Sequence, residues 1–437
     1  MSNKIIENLK RKFTTQDFNS QLIKTSLLSL ISTIFKLLTG LIITKIVSSK
    51  YGTIGLVKLG NFQNFVQIST NFSTAGINNG VIKYSSEYSN RKNSLFKLLK
   101  STGIIVLFFT IITIIIVSIF NDQISKIIFK DSNKTYLINI TAISLIFYSV
   151  NLIYTSYLNG VSYIIKLTKI NVYQNIAALI LTLILIEYLN FDGAILSIPF
   201  AQLLLFLSVV YLILRELRSL KLILSIRYNP KYTKNLFSYS LMTIAAAVIS
   251  PLTLVLVRFY IEQKHGLITT GIWQSAQYIS TSHLFLLTTT LSVYFLPAFS
   301  SINVRKLLQT EMIKGLKFIW FFILWSSLII YFFKDKFILL LFSSEFLSLG
   351  KYISLLLISD IFKITSWLFA YLLIAKNRVA DYIIYEIVSN AIYIVSIIIL
   401  PLYFGVYGIF FASIFQYMSY LIMQTFSYKK IMKSLPS

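Results

Sequence analysis

The sequence predicts an all-α polytopic membrane protein with about twelve transmembrane helices in two pseudo-symmetric six-helix halves around a central cavity. Three observations predict it: an apolar composition, apolar runs of bilayer-crossing length along the whole chain, and landmarks that recur after about 214 residues. Of 437 residues 56% are apolar and 13% charged, with a mean hydropathy of +0.75. A soluble domain does not carry that balance. Six Pro and 15 Gly exclude collagen-like and low-complexity chains. Cysteine is absent and histidine occurs only as His265 and His283. Disulfide frameworks, thiolate zinc, iron-sulfur and haem chemistry have no ligands here, so no cofactor is expected.

The apolar runs lie at residues 22–44, 56–80, 100–120, 136–158, 164–186, 193–214, 236–260, 268–296, 315–333, 352–374, 382–402 and 405–426. Each suits a hydrocarbon core of about 30 Å. Long continuous runs are helices rather than barrel strands, because backbone groups in lipid must bond within the segment. The net charge of +25 would suggest nucleic acid on a soluble chain. Here the basic residues sit in the connections, so the lipid bilayer is the partner and no nucleic acid is expected. About 26 Lys and Arg fall on one side against about 11 opposite. That side collects Lys4, Lys10, Arg11 and Lys12, the 81–100 and 215–235 connections, Arg305, Lys306, Lys314 and Lys317, Lys166 and Lys169, Lys376 and Arg378, and Lys429, Lys430 and Lys433. Both termini are therefore expected to be cytoplasmic, and the first span is expected to stay as an anchor, since no small-residue cleavage site follows it.

Ser26-Leu27-Leu28 pairs with Ser240-Leu241-Met242, Tyr51-Gly52 with His265-Gly266, and Gly193 with Gly408, at offsets of 214 to 215 residues. The division this implies is an N-terminal half at 1–214, a basic cytoplasmic linker at 215–235 and a C-terminal half at 236–437. No connection is long enough for a folded catalytic domain, so function must reside among the helices, and the chain is not expected to be an enzyme.

Polar side chains within the spans then mark the cavity, since they are costly in lipid. In the first span Ser29, Thr33, Lys36, Gly40 and Thr44 share one face, with Lys36 about midway and no acid on its own helix. The second carries an amide stripe, Asn61, Asn64, Gln67, Asn71 and Asn78. The eighth carries Trp273, Gln274, Gln277 and Thr281, the tenth Asp360, Lys363 and Trp367, and the eleventh Glu386. Each pattern has a plainer reading. Amides glue helices together, and Asp360 and Lys363 at i, i+3 can neutralise each other. Lys45 and Arg258 stand near span ends and can reach headgroups, and His283 suits a buried, hydrogen-bonded imidazole. Unpaired bases among amides, hydroxyls and aromatics fit a phosphate joined to a glycan, because phosphate wants cations and sugars want donors, acceptors and a stacking face.

At these residues the chain resembles the Wzx-type O-antigen and enterobacterial common antigen lipid-linked oligosaccharide flippases, in the polysaccharide branch of the MATE-like (MOP) exporter superfamily. The resemblance rests on Ser32-Thr33-x-x-Lys36 with Gly40, Gly52-x-x-Gly55-Leu56 leading to Asn61-Phe62, and Ala75-Gly76-Ile77 with Lys83-Tyr84. It continues through Arg258, Gly271-Ile272-Trp273-Gln274, Leu296-Pro297, Asp360-x-x-Lys363 and Glu386-x-Val388-Ser389. Some members carry an acid in the eighth span where this chain has Thr281. The resemblance implies a translocase in the bacterial inner (cytoplasmic) membrane. It would move an undecaprenyl-pyrophosphate-linked oligosaccharide, such as an O-antigen or common-antigen unit, from the cytoplasmic to the periplasmic leaflet by alternating access. It further implies a proton or sodium gradient as the driving force, and polysaccharide polymerase and chain-length proteins as partners. On this reading Lys36, Arg258 and Lys363 hold the pyrophosphate or glycan acids. Asn61, Asn64, Gln67, Asn71, Asn78, Trp273, Gln274, Gln277 and Trp367 contact sugars, and Asp360 and Glu386 couple the ion. Two alternatives stay open, a MATE-like multidrug or cation antiporter and a membrane-embedded surface-polysaccharide polymerase or glycosyltransferase. The first should prefer an acidic cavity, and the second a large loop with paired carboxylates.

Overall fold

The structure, a computed structural model, describes residues 15–89, 91–216 and 230–436. Among them the long elements are all helices: α1 (Thr15–Ser73), α2 (Asn78–Glu87), α3 (Lys92–Ile119), α4 (Asn121–Phe129), α5 (Thr135–Gly160), α6 (Ile164–Glu216), α7 (Pro230–Thr290), α8 (Leu296–Ser301), α9 (Arg305–Phe332), α10 (Lys334–Leu341), α11 (Ile353–Ala375), α12 (Val379–Phe404) and α13 (Val406–Ser434). A π-helical stretch, Leu291–Phe295, joins α7 to α8. The N-terminal lysines and arginine, and residues 217–229 of the expected linker, lie outside the described residues. The landmarks Ser26 to Leu28 and Ser240 to Met242 lie where the backbone alone is described.

Three helices are double-length. α1, α6 and α7 run 59, 53 and 61 residues, and each turns back at one residue: Gly52 (φ 60°, ψ −152°), Asn190 (φ 52°, ψ −133°) and Gly266 (φ 81°, ψ 169°). The reversals show in close contacts. A Cβ added at Gly193 would lie 1.9 Å from the carbonyl oxygen of Leu185, although a straight helix would separate residues eight apart by about 12 Å. Arg258 likewise bonds Gln274, on the returning limb of α7. With each limb taken separately, twelve of the described limbs are long enough to cross a bilayer. Ten of the expected apolar runs fall on one limb each, while 56–80 runs past the break at Ala75 and Gly76 into α2 and 268–296 runs through the π-helical stretch to the start of α8. The expected loops near 45–55, 187–192 and 261–267 are replaced by single-residue turns. Polar residues such as Lys50, Glu187 and Glu262 belong to helix ends that project past the apolar layer.

The 214-residue spacing recurs in the backbone. Gly52 and Gly266 share a positive φ with an extended ψ, and Asn190 matches Gly405 (φ 54°, ψ −139°), the turn between α12 and α13. Ser162 (φ 61°) and Asn377 (φ 56°) close helices in the same way, with Tyr163 N–H donating to Leu158 C=O and Arg378 N–H to Leu373 C=O, both at 2.9 Å.

The two ends of the bundle differ. At the end away from the basic connections, one apolar core draws Leu56, Phe62, Phe129 and Ile195 together with Ile261, Trp273, Phe346 and Ile397, from both sides of the linker. Lys45 Nζ donates there to the carbonyl oxygens of Leu339 (2.5 Å) and Phe342 (2.6 Å), the unpaired carbonyls at the end of α10. Instead of snorkelling to headgroups, as its position near a span end allowed, Lys45 caps a helix. Lys130 pairs with Glu262 at 3.5 Å, and Ser343 Oγ donates to Ser48 C=O at 3.3 Å. At the basic end, among the described residues, the apolar clusters keep to one side of the linker, apart from Leu236, which packs with Ala75, Ile77 and Val81. One end is sealed by this apolar packing, while at the other a space of about 480 Å³ parts the first limbs of α1 and α6 from the returning limb of α7.

Candidate functional site

Between the limbs lies a cavity of about 360 Å³ whose wall includes Asn64, Gln67, Arg258, Gln274, Gln277, Asp360, Lys363 and Trp367. The first two come from the returning limb of α1, the next three from α7 and the last three from α11. In the returning limb of α1 the turn-and-a-bit spacing of Gly60, Asn64 and Gln67 aims them at one partner. The Nδ2 of Asn64 is buried without a hydrogen-bond partner. Gln63 meets the facing limb directly, accepting from Tyr278 O–H at 2.8 Å.

Arg258, 2% exposed, is held by neutral groups. Its Nη1 donates to Asn61 Oδ1 at 2.6 Å, and its Nε and Nη2 donate to Gln274 Oε1 at 3.0 and 2.6 Å. The guanidinium carbon stands 5.5 Å from the centre of the Trp273 ring. Amide oxygens and a π-face satisfy the donors without cancelling the charge. Position near a span end suggested a headgroup contact for Arg258, but the side chain points inward at the cavity base.

Lys363, 9% exposed, follows the same rule. Its Nζ is 3.3 Å from Ser280 Oγ and 5.3 Å from the ring centres of Trp367 and Tyr417. The direct intrahelical pairing with Asp360 that the i, i+3 spacing allowed is not made; the two side chains meet through Ser280, whose Oγ accepts from Lys363 and donates to Asp360. Asp360, 1% exposed, instead accepts from Ser280 O–H at 2.5 Å and meets His283 Nδ1 at 2.9 Å, while His283 Nε2 lies 2.8 Å from Ser326 Oγ. Among the described residues no carboxylate is within salt-bridge distance of Lys36, Arg258 or Lys363.

An adjoining space of about 290 Å³ is bordered by Trp367, Tyr382, Glu386, Asn390 and Tyr420. Glu386 is not free there: it accepts from Ser250 O–H at 2.7 Å and Tyr420 O–H at 2.9 Å. Lys36 lies apart from the central wall. It lines a smaller space of about 190 Å³ that Gln63, Tyr278 and Thr281 share with the central cavity, and a larger one of about 480 Å³ at the basic end.

The structure thus brings together Asn64, Gln67, Arg258, Gln274, Gln277, Asp360, Lys363 and Trp367 on one wall. It places four expected sugar-contacting residues elsewhere. Asn61 and Trp273 are buried behind Arg258 as its acceptor and its ring support, and Trp273 Nε1–H donates to Tyr393 OH at 3.2 Å. Asn71 turns its Nδ2 back to Gln67 C=O at 2.8 Å. Asn78 falls beyond a break at Ala75 (φ 50°) and Gly76 (φ 60°), which resets the helical face, so the stripe ends before it. Sequence reasoning missed the partnership of His283 with Asp360, for which no local signal exists. It also missed Asn171, Gln174 and Asn175 on the large space beside Lys36, whose three- and four-residue spacing was visible.

The polysaccharide biosynthesis protein family matches residues 42–351 of the chain. The lipid III flippase of Escherichia coli (strain K12) is 24% identical over 367 residues, covering 84% of this chain and 88% of that one. The lipid III flippase of Shigella flexneri matches with the same identity and coverage. In fold, the chain is similar to a MOP superfamily transporter from Pyrococcus furiosus, described as having a binding pocket of reverse polarity, with a TM-score of 0.75 at 12% identity over 95% of this chain and 96% of that one. It is also similar to a multidrug resistance MATE family transporter solved inward-facing, with a TM-score of 0.72 at 14% identity over 92% and 94% of the two chains. The fold is therefore MATE-like, the protein is a multi-pass membrane protein, and the curated relatives it matches are flippases rather than enzymes. Since the family match spans well over half its length, the chain belongs to the polysaccharide biosynthesis protein family.

Proposed function

We propose that the protein flips an undecaprenyl-pyrophosphate-linked oligosaccharide from the cytoplasmic to the periplasmic leaflet of the bacterial inner membrane. One observation carries the reading: Arg258 and Lys363 face a common cavity, held by amides, a hydroxyl and aromatic rings rather than carboxylates. A buried cation supported this way keeps its attraction for an incoming anion, whereas a carboxylate partner would have to be displaced. Asn64, Gln67, Gln274, Gln277 and Trp367 around them offer donors, acceptors and a stacking face for sugars. The 24% identity to lipid III flippases supports the same substrate class.

The chain works as two six-span halves, 1–214 and 236–437, that rock about the cavity. The backbone turns repeated at 214 to 215 residues support the division. With both termini cytoplasmic, the parted basic end opens to the cytoplasm and the sealed end faces the periplasm. Asp360 and Glu386 couple the step to a proton or sodium gradient, since they are the carboxylates that border the central cavity and the space adjoining it. The prenyl tail stays in lipid, and no covalent bond changes. Polymerase and chain-length proteins act on the product after the step.

The test is a deletion strain, with lipid-linked sugars located in inverted vesicles and spheroplasts. A prenyl-pyrophosphate oligosaccharide trapped facing the cytoplasm, with loss of surface polymer, is the expected result. Wild-type protein should restore the polymer, while Arg258→Ala and Lys363→Ala at equal abundance should lower it at least tenfold. Normal surface glycan with no trapped intermediate would overturn the reading.

A further inference from the structure

The space of about 480 Å³ at the basic end is not part of the central cavity. It is enclosed by the first limb of α1, the end of α5, the start of α6 and the returning limb of α7. On α6 the lining positions are 164, 167, 168, 171, 174 and 175, a single stripe along the first three turns. By a rise of 1.5 Å per residue, Asn171 and Asn175 lie about 10 to 16 Å inside the start of the helix. Amides at that depth are unusual on a membrane-crossing helix.

These amides are not spent on packing. Asn159, Asn171, Gln174 and Asn175 make no side-chain hydrogen bond among the described residues, and all four border the open space. Amides that glue helices together would instead be paired, as Asn151 is with Gln202. Lys36 stands on the same wall and has no acidic partner among the described residues. Among the described residues no carboxylate lines the space. Phe285 and Leu167 supply an apolar face beside the polar stripe. An amide presents a donor and an acceptor side by side, which matches neighbouring hydroxyls on a sugar ring, and a lone ammonium matches a phosphate oxygen.

We propose that this space is a loading subsite for the saccharide of the lipid-linked substrate. Lys36 engages the diphosphate, and the α6 amides bind the sugar attached to it before the glycan moves on to Arg258 and Lys363. The route between the two is the smaller space that Lys36 shares with Gln63, Tyr278 and Thr281. This assignment rests on the translocation reading above and adds where recognition begins. It also makes the first contact sugar-selective: bare prenyl diphosphate meets Lys36 alone, whereas the glycosylated lipid meets the whole stripe.

The chain has no cysteine, so an introduced one reports alone. Full-length Asn175→Cys, for the loading subsite, and Gln277→Cys, for the central cavity, would be placed in inside-out vesicles and labelled with a charged, membrane-impermeant maleimide. The probes are undecaprenyl-diphosphate oligosaccharide extracted from the deletion strain and undecaprenyl diphosphate without sugar. The glycosylated lipid is expected to slow labelling of Asn175→Cys at least threefold, and the bare lipid less than half as strongly. Protection of Gln277→Cys alone would overturn the loading subsite and leave translocation standing. Labelling of both without protection of either would overturn the subsite together with the translocation reading. Equal protection of Asn175→Cys by both lipids would overturn the sugar contact. As a second measurement, Asn171→Ala/Asn175→Ala protein should bind the glycosylated lipid at least fivefold more weakly with bare-lipid binding unchanged. Equal weakening for both lipids would overturn the selective role of the stripe.

Discussion

The sealed and parted ends of this bundle are made from the same twelve-limb scaffold, yet they are held by different chemistry. At the sealed end the contacts across the linker are buried apolar side chains, backed by a lysine on helix carbonyls and an ion pair. At the basic end hydroxyls, amides and Lys36 face open space. The lesson is that a two-state transporter needs one interface strong enough to form and weak enough to leave. Close packing is short-ranged and all-or-none. Polar walls stay satisfied by water when apart and by ligand when closed. A population shift between two such states needs only a few kcal/mol of differential contact.

The largest effect should come from breaking the sealed packing at its tightest point. A Cβ at Gly271, on α7, would lie 2.3 Å from the Cβ of Thr53 on α1. Gly271→Leu therefore cannot be accommodated unless the limbs separate, and overpacking of this kind costs about 1–3 kcal/mol. The variant should populate the form open at the sealed end. Labelling of a cysteine introduced at Ser48, buried there, should rise at least tenfold over the same cysteine in the parent. Unchanged labelling at normal abundance would mean that the two limbs can repack without opening.

A smaller effect is expected at Lys45. Its two carbonyl acceptors belong to the far side of the linker, so Lys45→Met removes charge-assisted bonds while keeping much of the side-chain volume. Hydrogen bonds to a charged group contribute about 1.5–3 kcal/mol each, and water can replace part of that at the helix end. A loss of about 1.4 kcal/mol corresponds to about a tenfold shift toward opening, readable by the same cysteine. Lys45→Arg, which keeps the charge and the donors, should recover most of the seal. Should both variants behave alike, stem packing rather than the cap would be what closes this end.

How far these features were legible follows from where their information lies. Hydropathy and spacing belong to one helix at a time, so the apolar runs, the inward faces of α1, α7 and α11, and the cavity placement of Gln274, Gln277 and Lys363 could be read directly. Choice of partner belongs to two helices. The spacing of Asp360 and Lys363 suggested a pair, but Ser280 and His283 on the neighbouring limb reach Asp360 first. Lys45 looked like a residue that would reach headgroups, because nothing near it in sequence reveals that α10 ends beside it. The α6 stripe was readable by the same spacing rule that found the α1 amides.

The smallest effect tests two of the turns at the sealed end. Asn190 and Gly405 hold nearly the same backbone, φ 52°, ψ −133° and φ 54°, ψ −139°. That region admits glycine freely, while a residue with a Cβ carries strain of about 1–3 kcal/mol. Asn is among the side chains that tolerate positive φ best, and glycine gains entropy in the unfolded chain, so the relief in Asn190→Gly is partly offset. The variant should be neutral or more stable by up to about 1 kcal/mol in thermal unfolding in detergent. Gly405→Asn makes the reciprocal change and should lower stability by a similar small amount, while Gly405→Val, β-branched at positive φ, should lower it further. If Asn190→Gly were instead clearly destabilising, the Asn190 side chain would have to hold the turn through a contact that Gly405 does without. The two turns would then be alike in backbone shape and unlike in what keeps them there.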